Sequence, residues 1–197
     1  MGRVIAIANQ KGGVGKTTTA INLSATLAEA GQKVLAVDFD PQGNETSGLG
    51  VEKEAVEKTV YELIVGECEL EDCLIKEIQP NLDLLPSNVN LAGAEIELLE
   101  MENKEGILRY YLDKIKDNYD FVIIDCPPSL SLLTVNALTA SNTVLVPIQC
   151  EYYALEGLNQ VLKTIKLVKK KLNPSLEMEG VVFTMYDSRT NLSQQVV

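Results

Sequence analysis

Residues 4–18 read Val4-Ile5-Ala6-Ile7-Ala8-Asn9-Gln10-Lys11-Gly12-Gly13-Val14-Gly15-Lys16-Thr17-Thr18, and the order of residue types in this run decides the fold. The run opens as a short apolar segment, breaks into glycines, and resumes as a helix-like pattern through Leu27. A buried strand, a Gly-rich turn and a helix N-terminus in that order make a phosphate cradle. The N–H groups of the turn and the positive end of the helix dipole both point at an anion. Glycine lets the chain wrap a phosphate closely, where a Cβ would collide with it or forbid the φ required. Lys16 supplies a point charge for the β- and γ-phosphates, and the Thr17 hydroxyl is placed to bind Mg2+.

The spacing departs from the common G-x-x-x-x-G-K-[ST] loop, since Gln10 stands where the first glycine belongs. A second lysine, Lys11, precedes Gly12-Gly13 instead, which is the deviant Walker A pattern K-G-G-x-G-K-[ST]. On these residues the chain resembles the ParA/Soj/MinD group of P-loop ATPases, which also includes the nitrogenase iron protein. The nucleotide-binding set is then Lys11, Gly12, Gly13, Val14, Gly15, Lys16, Thr17 and Thr18. An ordinary Gly-rich turn with incidental lysines would match the spacing, but not the strand and helix that flank it.

At 197 residues the length suits one α/β domain with a substantial core. A hydrophobic content of 46% with 23% charged residues is ordinary for a soluble protein. No apolar run approaches a membrane span, and the N-terminus enters the first strand without a signal-peptide pattern, so a cytoplasmic protein is expected. The four cysteines, Cys68, Cys73, Cys126 and Cys150, fit no paired C-x-x-C spacing. Reduced, mostly buried thiols are the expectation. No histidine is present, which removes histidine acid–base chemistry and histidine metal ligation. A net charge of −11 argues against coating nucleic acid with the whole surface, though a local basic patch or one assembled by dimerisation is compatible with it.

Taken in order, the helix after the loop carries Ala20, Leu23, Leu27 and Ala28 at helical spacing and ends at Ala30-Gly31. The next strand, Lys33-Val34-Leu35-Ala36-Val37-Asp38, runs into Phe39-Asp40-Pro41-Gln42-Gly43-Asn44. Asp38 and Asp40 are two apart on extended backbone, so they point to one side at the carboxyl end of a strand, where parallel sheets gather ligand groups. Alone they read as solvated loop acids. Beside a phosphate loop, one carboxylate can order water on Mg2+ and the other can hold an attacking water.

Further on, Ser47-Gly48-Leu49-Gly50 reads as a loop and Thr59 as the cap of a helix at residues 60–65. A short strand is expected at 82–86 and helices at 91–99 and 104–116. Asp120-Phe121-Val122-Ile123-Ile124-Asp125-Cys126-Pro127-Pro128 is the second strong signal. Four apolar residues make a buried parallel strand, two prolines turn the chain out, and Asp125 sits where a Walker B acid holds Mg2+ through water. A helix over 129–140 and a strand over 143–148 follow. The helix at 154–172 has a core face of Leu155, Leu158, Val161, Leu162, Ile165 and Val168, and a separate stripe of Lys163, Lys166 and Lys170. A final strand is expected at 180–184. Gln194-Gln195-Val196-Val197 reads as the opening of a helix, so a single domain over 1–197, truncated at its C-terminus, is expected.

The run Met185-Tyr186-Asp187-Ser188-Arg189-Thr190-Asn191-Leu192 resembles most the chromosomal ParA/Soj branch. That resemblance implies ATP and Mg2+ as cofactors, an ATP-dependent homodimer, non-specific binding of that dimer to DNA, and hydrolysis stimulated by a ParB-type centromere-binding protein. It implies that Lys11 reaches the phosphates of the partner's ATP, that Asp40 positions the attacking water, and that Gly12 lies where two loops face each other. Arg189 is the implied DNA contact; as a bare surface arginine it would instead pair with Asp187 or Glu179. The metal set is Thr17, Asp38 and Asp125, and the catalytic set Asp40, Lys11 and Lys16. A MinD-like membrane-associated regulator, an iron–sulfur carrier, a metabolic ligase on the same fold and a nucleotide-gated scaffold without turnover are the rivals. The carrier would need cluster cysteines that the spacing does not supply.

Overall fold

Strands buried on both faces need long crossovers to lie parallel, and the chain supplies a helix between most of them. The computed structural model describes residues 2–151 and 154–189. Its elements run β1 (Arg3–Ile7), α1 (Lys16–Glu29), β2 (Val34–Asp38), α2 (Asn44–Gly48), α3 (Val60–Val65), α4 (Leu70–Cys73), β3 (Ile75–Gln79), β4 (Leu82–Leu85), α5 (Leu91–Leu98), α6 (Ile107–Ile115), β5 (Phe121–Asp125), α7 (Leu132–Ala140), β6 (Thr143–Gln149), α8 (Ala154–Lys171) and β7 (Glu177–Thr184). The strands join in one sheet in the order β3-β4-β2-β5-β1-β6-β7. Every neighbouring pair is parallel except β3 with β4.

Alternation along the strands builds two cores. Val4 and Ala6 of β1, Leu35 and Val37 of β2 and Val122 and Ile124 of β5 pack on one face with side chains from α3, α5, α6, α7 and α8. Ile5, Ile7, Val34, Ala36 and Ile123 point the other way, onto Ala20 and Ala28 of α1. The small alanines let α1 lie close to the sheet, so the start of that helix sits directly over the strand ends. Helices on both faces of a mostly parallel sheet are the expected architecture.

Several boundaries differ from the sequence expectations for local reasons. Residues 44–48 close into the short helix α2, which takes in Ser47 and Gly48 of the stretch expected as loop. Gly106 delays α6 to Ile107, and the extended backbone at Ser131 after the two prolines delays α7 to Leu132. β7 starts at Glu177 rather than at 180, because its early residues pair with β6. The strand β3 matches no apolar run; its exposed Lys76 and Glu77 hide it from any hydrophobic count. Thr59 does cap α3, accepting from Tyr61 N at 3.2 Å, while Glu62 accepts from Thr59 N at 2.7 Å.

The cysteine expectation is corrected in part. Cys68 and Cys73 are joined by a disulfide, because the left-handed turn at Gly66 folds the chain back so that Cys68 meets the end of α4. Cys126 and Cys150 are free and buried. The helical opening expected at Gln194-Gln195-Val196-Val197 lies outside the described residues, as do Thr190, Asn191 and Leu192 and the side chain of Leu155. Among the described residues, no helix is long and apolar enough to cross a membrane.

Candidate nucleotide-binding site

Register brings the candidate residues together. Ile7 of β1 lies opposite Asp125 of β5, and Asp38 of β2 lies opposite the same Asp125. The loop after β1, the acid pair of β2 and the acid of β5 therefore share one end of three adjacent strands. That is the carboxyl edge, where ligands bind in open α/β sheets.

The loop is held from both sides. Asn9 donates through Nδ2 to the Pro147 carbonyl at 2.8 Å and accepts from Lys11 N at 3.0 Å, which ties the turn to β6. Thr184, the last residue of β7, donates to the Val14 carbonyl at 2.8 Å. Gly13 and Gly15 take φ of 73° and 87°, the left-handed region where a side chain is strained. A Cβ on Gly15 would also lie 3.2 Å from the Thr184 methyl. Val14 is buried, while Gly12 is exposed and a Cβ there would meet no atom within 4 Å. No side chain caps α1 at Gly15, so its first-turn N–H groups are left for an anion.

The two lysines differ in setting. Lys16 is buried, and its Nζ donates to the Lys11 carbonyl at 3.0 Å. Burial lowers its pKa, partly offset by the charges of Asp125, Cys126 and Asp40. Lys11 extends to Glu151 beyond β6 and forms an ion pair with it. Thr17 follows on α1 and donates its hydroxyl to Asp125 Oδ2 at 2.6 Å. Thr18 is exposed on the helix, its carbonyl taken by Asn22 at 2.8 Å.

The acids have unequal partners. Asp38 is fully buried; its Oδ2 accepts from Thr46 N at 2.8 Å and Thr46 Oγ1 at 2.7 Å, and its Oδ1 from Asp40 N at 3.3 Å. Burial pushes its carboxyl up to about 6 in spite of those donors. Asp40 accepts from Gln42 N at 2.9 Å, and Ser87 Oγ fixes its carbonyl at 2.9 Å. Asp125 is also fully buried, and burial together with the neighbouring acids raises its carboxyl, against the pull of Thr17 and Lys16. A third acid, Glu45 of α2, is buried beside them and is raised well above its ordinary value, first by burial and then by Asp125 and Asp38.

Three carboxylates in one dry pocket suit a hard cation. Asp38, Glu45 and Asp125 each bring an oxygen within 4.8 Å of the others. Asp125 Oδ1 and both Glu45 oxygens have no hydrogen-bond partner. Orphaned acidic oxygens with Thr17 alongside fit oxygen-only coordination of Mg2+. Glu45, Thr46, Ser87, Asn9 and Thr184 are the site residues that sequence reasoning passes over. Only Glu45 carries any signal, as an acid just after the Asp38–Asp40 pair.

The Arg189 side chain is 87% exposed. Its guanidinium forks onto Asp187, with Nε at 2.9 Å and Nη2 at 2.7 Å from the two oxygens. This bond raises the arginine and lowers the aspartate. Of the two acids within reach of a surface arginine here, Asp187 is the one it pairs with; Glu179 is held instead by Arg3.

A glycine-turned loop between a central strand and a helix, facing a strand-end acid, defines a P-loop nucleotide-binding protein. Comparison narrows the class. The family model described as an AAA domain matches residues 2–178. The chain is 57% identical to the sporulation initiation inhibitor protein Soj of Bacillus subtilis, over all of this chain and 78% of that protein. It is 53% identical to the chromosome partitioning protein ParA of Myxococcus xanthus, over all of this chain and 70% of that one. Among solved structures, a Mycobacterium smegmatis protein called cobyrinic acid a,c-diamide synthase, with bound ATP analogue and magnesium, superposes with a TM-score of 0.94 at 46% identity, covering all of this chain and 80% of that one. The chain belongs to the ParA/Soj family of P-loop ATPases.

Proposed function

We propose that this chain is a dimerising switch ATPase of chromosome or plasmid segregation, which binds ATP with Mg2+, pairs in that state, binds DNA without sequence preference, and is reset by hydrolysis that a ParB-type partner stimulates. The observation that carries the reading is the loop itself. One lysine, Lys16, is buried inside the cradle, and a second, Lys11, reaches outward past open space at Gly12. The partition proteins at 57% and 53% identity support the cellular role. A cytoplasmic, nucleoid-associated location follows from it.

In this reading Lys16 exchanges the Lys11 carbonyl for the β- and γ-phosphates. Thr17, Asp38 and Asp125 would hold Mg2+, which when bound neutralises phosphate charge. Asp40, fixed by Gln42 N and by Ser87, orients the attacking water. Lys11 leaves Glu151 and reaches the γ-phosphate bound by the partner subunit, offsetting charge on the transferred group as an arginine finger does. Supplying that cation from a second chain makes hydrolysis conditional on pairing.

Gly12→Val tests this directly. A Cβ at Gly12 meets nothing within 4 Å in the single chain, so folding and ATP binding are expected to be normal while ATP-dependent dimerisation is lost. Sedimentation of the full-length protein with a slowly hydrolysed ATP analogue reads both. A normal dimer peak removes Gly12 from the interface and with it the trans role of Lys11. A second reading, a ligase using the same site, has the name of the M. smegmatis structure behind it. Its mark is ATP turnover that requires a small-molecule acceptor and ignores Gly12→Val.

A further inference from the structure

Glu45 is the one acid of the pocket that no hydrogen bond explains. The left-handed turn at Gly43, φ 60°, starts α2, and a Cβ at Gly43 would lie 2.8 Å from the Ser87 carbonyl. The turn is therefore tightly constrained, and the side chain that follows is carried inward beneath the strand ends. Glu45 is fully buried there, with both oxygens unpartnered. The facing Asp125 Oδ1 is unpartnered as well. Asp38, by contrast, has its oxygens occupied by Thr46 and Asp40 donors. The leftover acceptors thus belong to two carboxylates that face each other, where mutual repulsion is largest and water is excluded.

We propose that Glu45 joins Asp38 and Asp125 in a divalent-cation site that holds Mg2+ or a similar hard cation in the absence of nucleotide. This deepens the reading of the pocket as an Mg2+–nucleotide site and rests on it for the position of the ion. Mg2+ bonds to oxygen at about 2.0–2.1 Å and Ca2+ at about 2.3–2.6 Å, so opposite ligands stand about 4.0–4.2 Å apart around the first and about 4.6–5.2 Å around the second. Oxygens within 4.8 Å of one another can meet at one such ion. A cation held by one or two carboxylates depends on substrate phosphates to complete its shell. A third buried carboxylate adds the charge that lets the protein keep the ion on its own. The metal would then be in place when nucleotide enters, so that nucleotide binds to a preloaded site.

The test uses full-length, nucleotide-free protein and Mn2+ as the probe, followed by electron paramagnetic resonance, in wild type and Glu45→Gln. Wild type is expected to take up one Mn2+ per chain, and Glu45→Gln to bind it about tenfold or more weakly, because charge count sets the affinity of such sites. In parallel melts without nucleotide, Mg2+ should raise the Tm of wild type and leave that of Glu45→Gln unchanged. In metal-free buffer the variant should melt no lower than wild type, which shows that it folds. Equal Mn2+ affinity in the two proteins overturns the proposal, as does wild type that retains no Mn2+ up to millimolar concentration. The wild-type arm stands alone if the variant fails to fold. ATP binding, measured separately, distinguishes the two readings: Mn2+ uptake without ATP binding sinks the nucleotide reading, and ATP binding without nucleotide-free Mn2+ uptake sinks the preloaded site.

Discussion

Lys16 and Asp40 sit in the same pocket and are expected to fail in different ways. Lys16 holds a loop carbonyl from inside the cradle, and no other described residue near the turn offers a buried cation. Lys16→Ala should weaken ATP binding by about ten- to a hundredfold or more, since a hydrogen bond to a charged group is worth about 1.5–3 kcal/mol. An equilibrium titration of the full-length protein reads this, and wild-type affinity in the variant would falsify the phosphate-loop assignment. Asp40→Ala should bind ATP normally and accumulate as an ATP-bound dimer, because it removes a group that acts on water and leaves the phosphate contacts alone. Hydrolysis at the wild-type rate would move the water-positioning role to another residue. At this scale the sequence is most legible where chemistry needs neighbours in the chain. Lys11, Gly13, Gly15, Lys16 and Thr17 can be read because their spacing is the site. Ser87 and Thr184 cannot, since register brings them in from distant stretches, and Glu45 shows only as a nearby acid whose inward aim depends on the turn at Gly43.

At the scale of elements, apolar runs identify β1, β2, β5 and β6, whose buried faces leave little else for those residues to do. The antiparallel edge strand β3 escapes because edges are polar and its stabilising contacts are ionic. Asp83 of β4 accepts from Lys76 Nζ of β3 at 2.8 Å, from Glu77 N at 2.9 Å and from the Tyr119 hydroxyl at 2.6 Å. Burial alone would push the Asp83 carboxyl up, but these donors together hold it below its ordinary 3.8. A depressed carboxylate stabilises the fold above its unfolded pKa, and that stability is lost as pH falls through the folded value. Asp83→Asn should therefore cost about 1 kcal/mol at pH 7, a figure kept low because Lys76 is largely exposed. The gap between variant and wild type should close as pH falls below about 4, near the free aspartate pKa. Thermal melts of both proteins across that range check it, and a gap independent of pH would mean that packing, not charge, joins β3 to β4.

The whole molecule carries a net charge of −11, and any affinity for DNA must come from a few cations gathered on one face. Net charge is legible from composition; where cations gather is not, because that depends on how the last strand and α8 project them. Exposed lysines 163, 166 and 170 line the outer side of α8, while Val161, Ile165 and Val168 are buried beneath it. Lysines in that position also suit a helix C-terminus, so their presence alone does not point to DNA. Arg189 follows β7 in a polar loop, but Asp187 holds it. An exposed pair of this kind is worth little, so a phosphate can displace the aspartate at small cost. In the proposed ATP-bound dimer each cation offered to DNA would be doubled, which is how an acidic protein could acquire DNA binding only in its ATP state. Arg189→Ala should weaken binding to all DNA sequences alike and leave ATP-dependent dimerisation unchanged. It should also flatten the salt dependence by about one unit for each phosphate the arginine neutralises, so about two per dimer. Binding curves of the full-length variant over a salt series decide the matter. Wild-type affinity with a wild-type slope would leave Arg189 as the partner of Asp187 alone and turn the search to Lys163, Lys166 and Lys170.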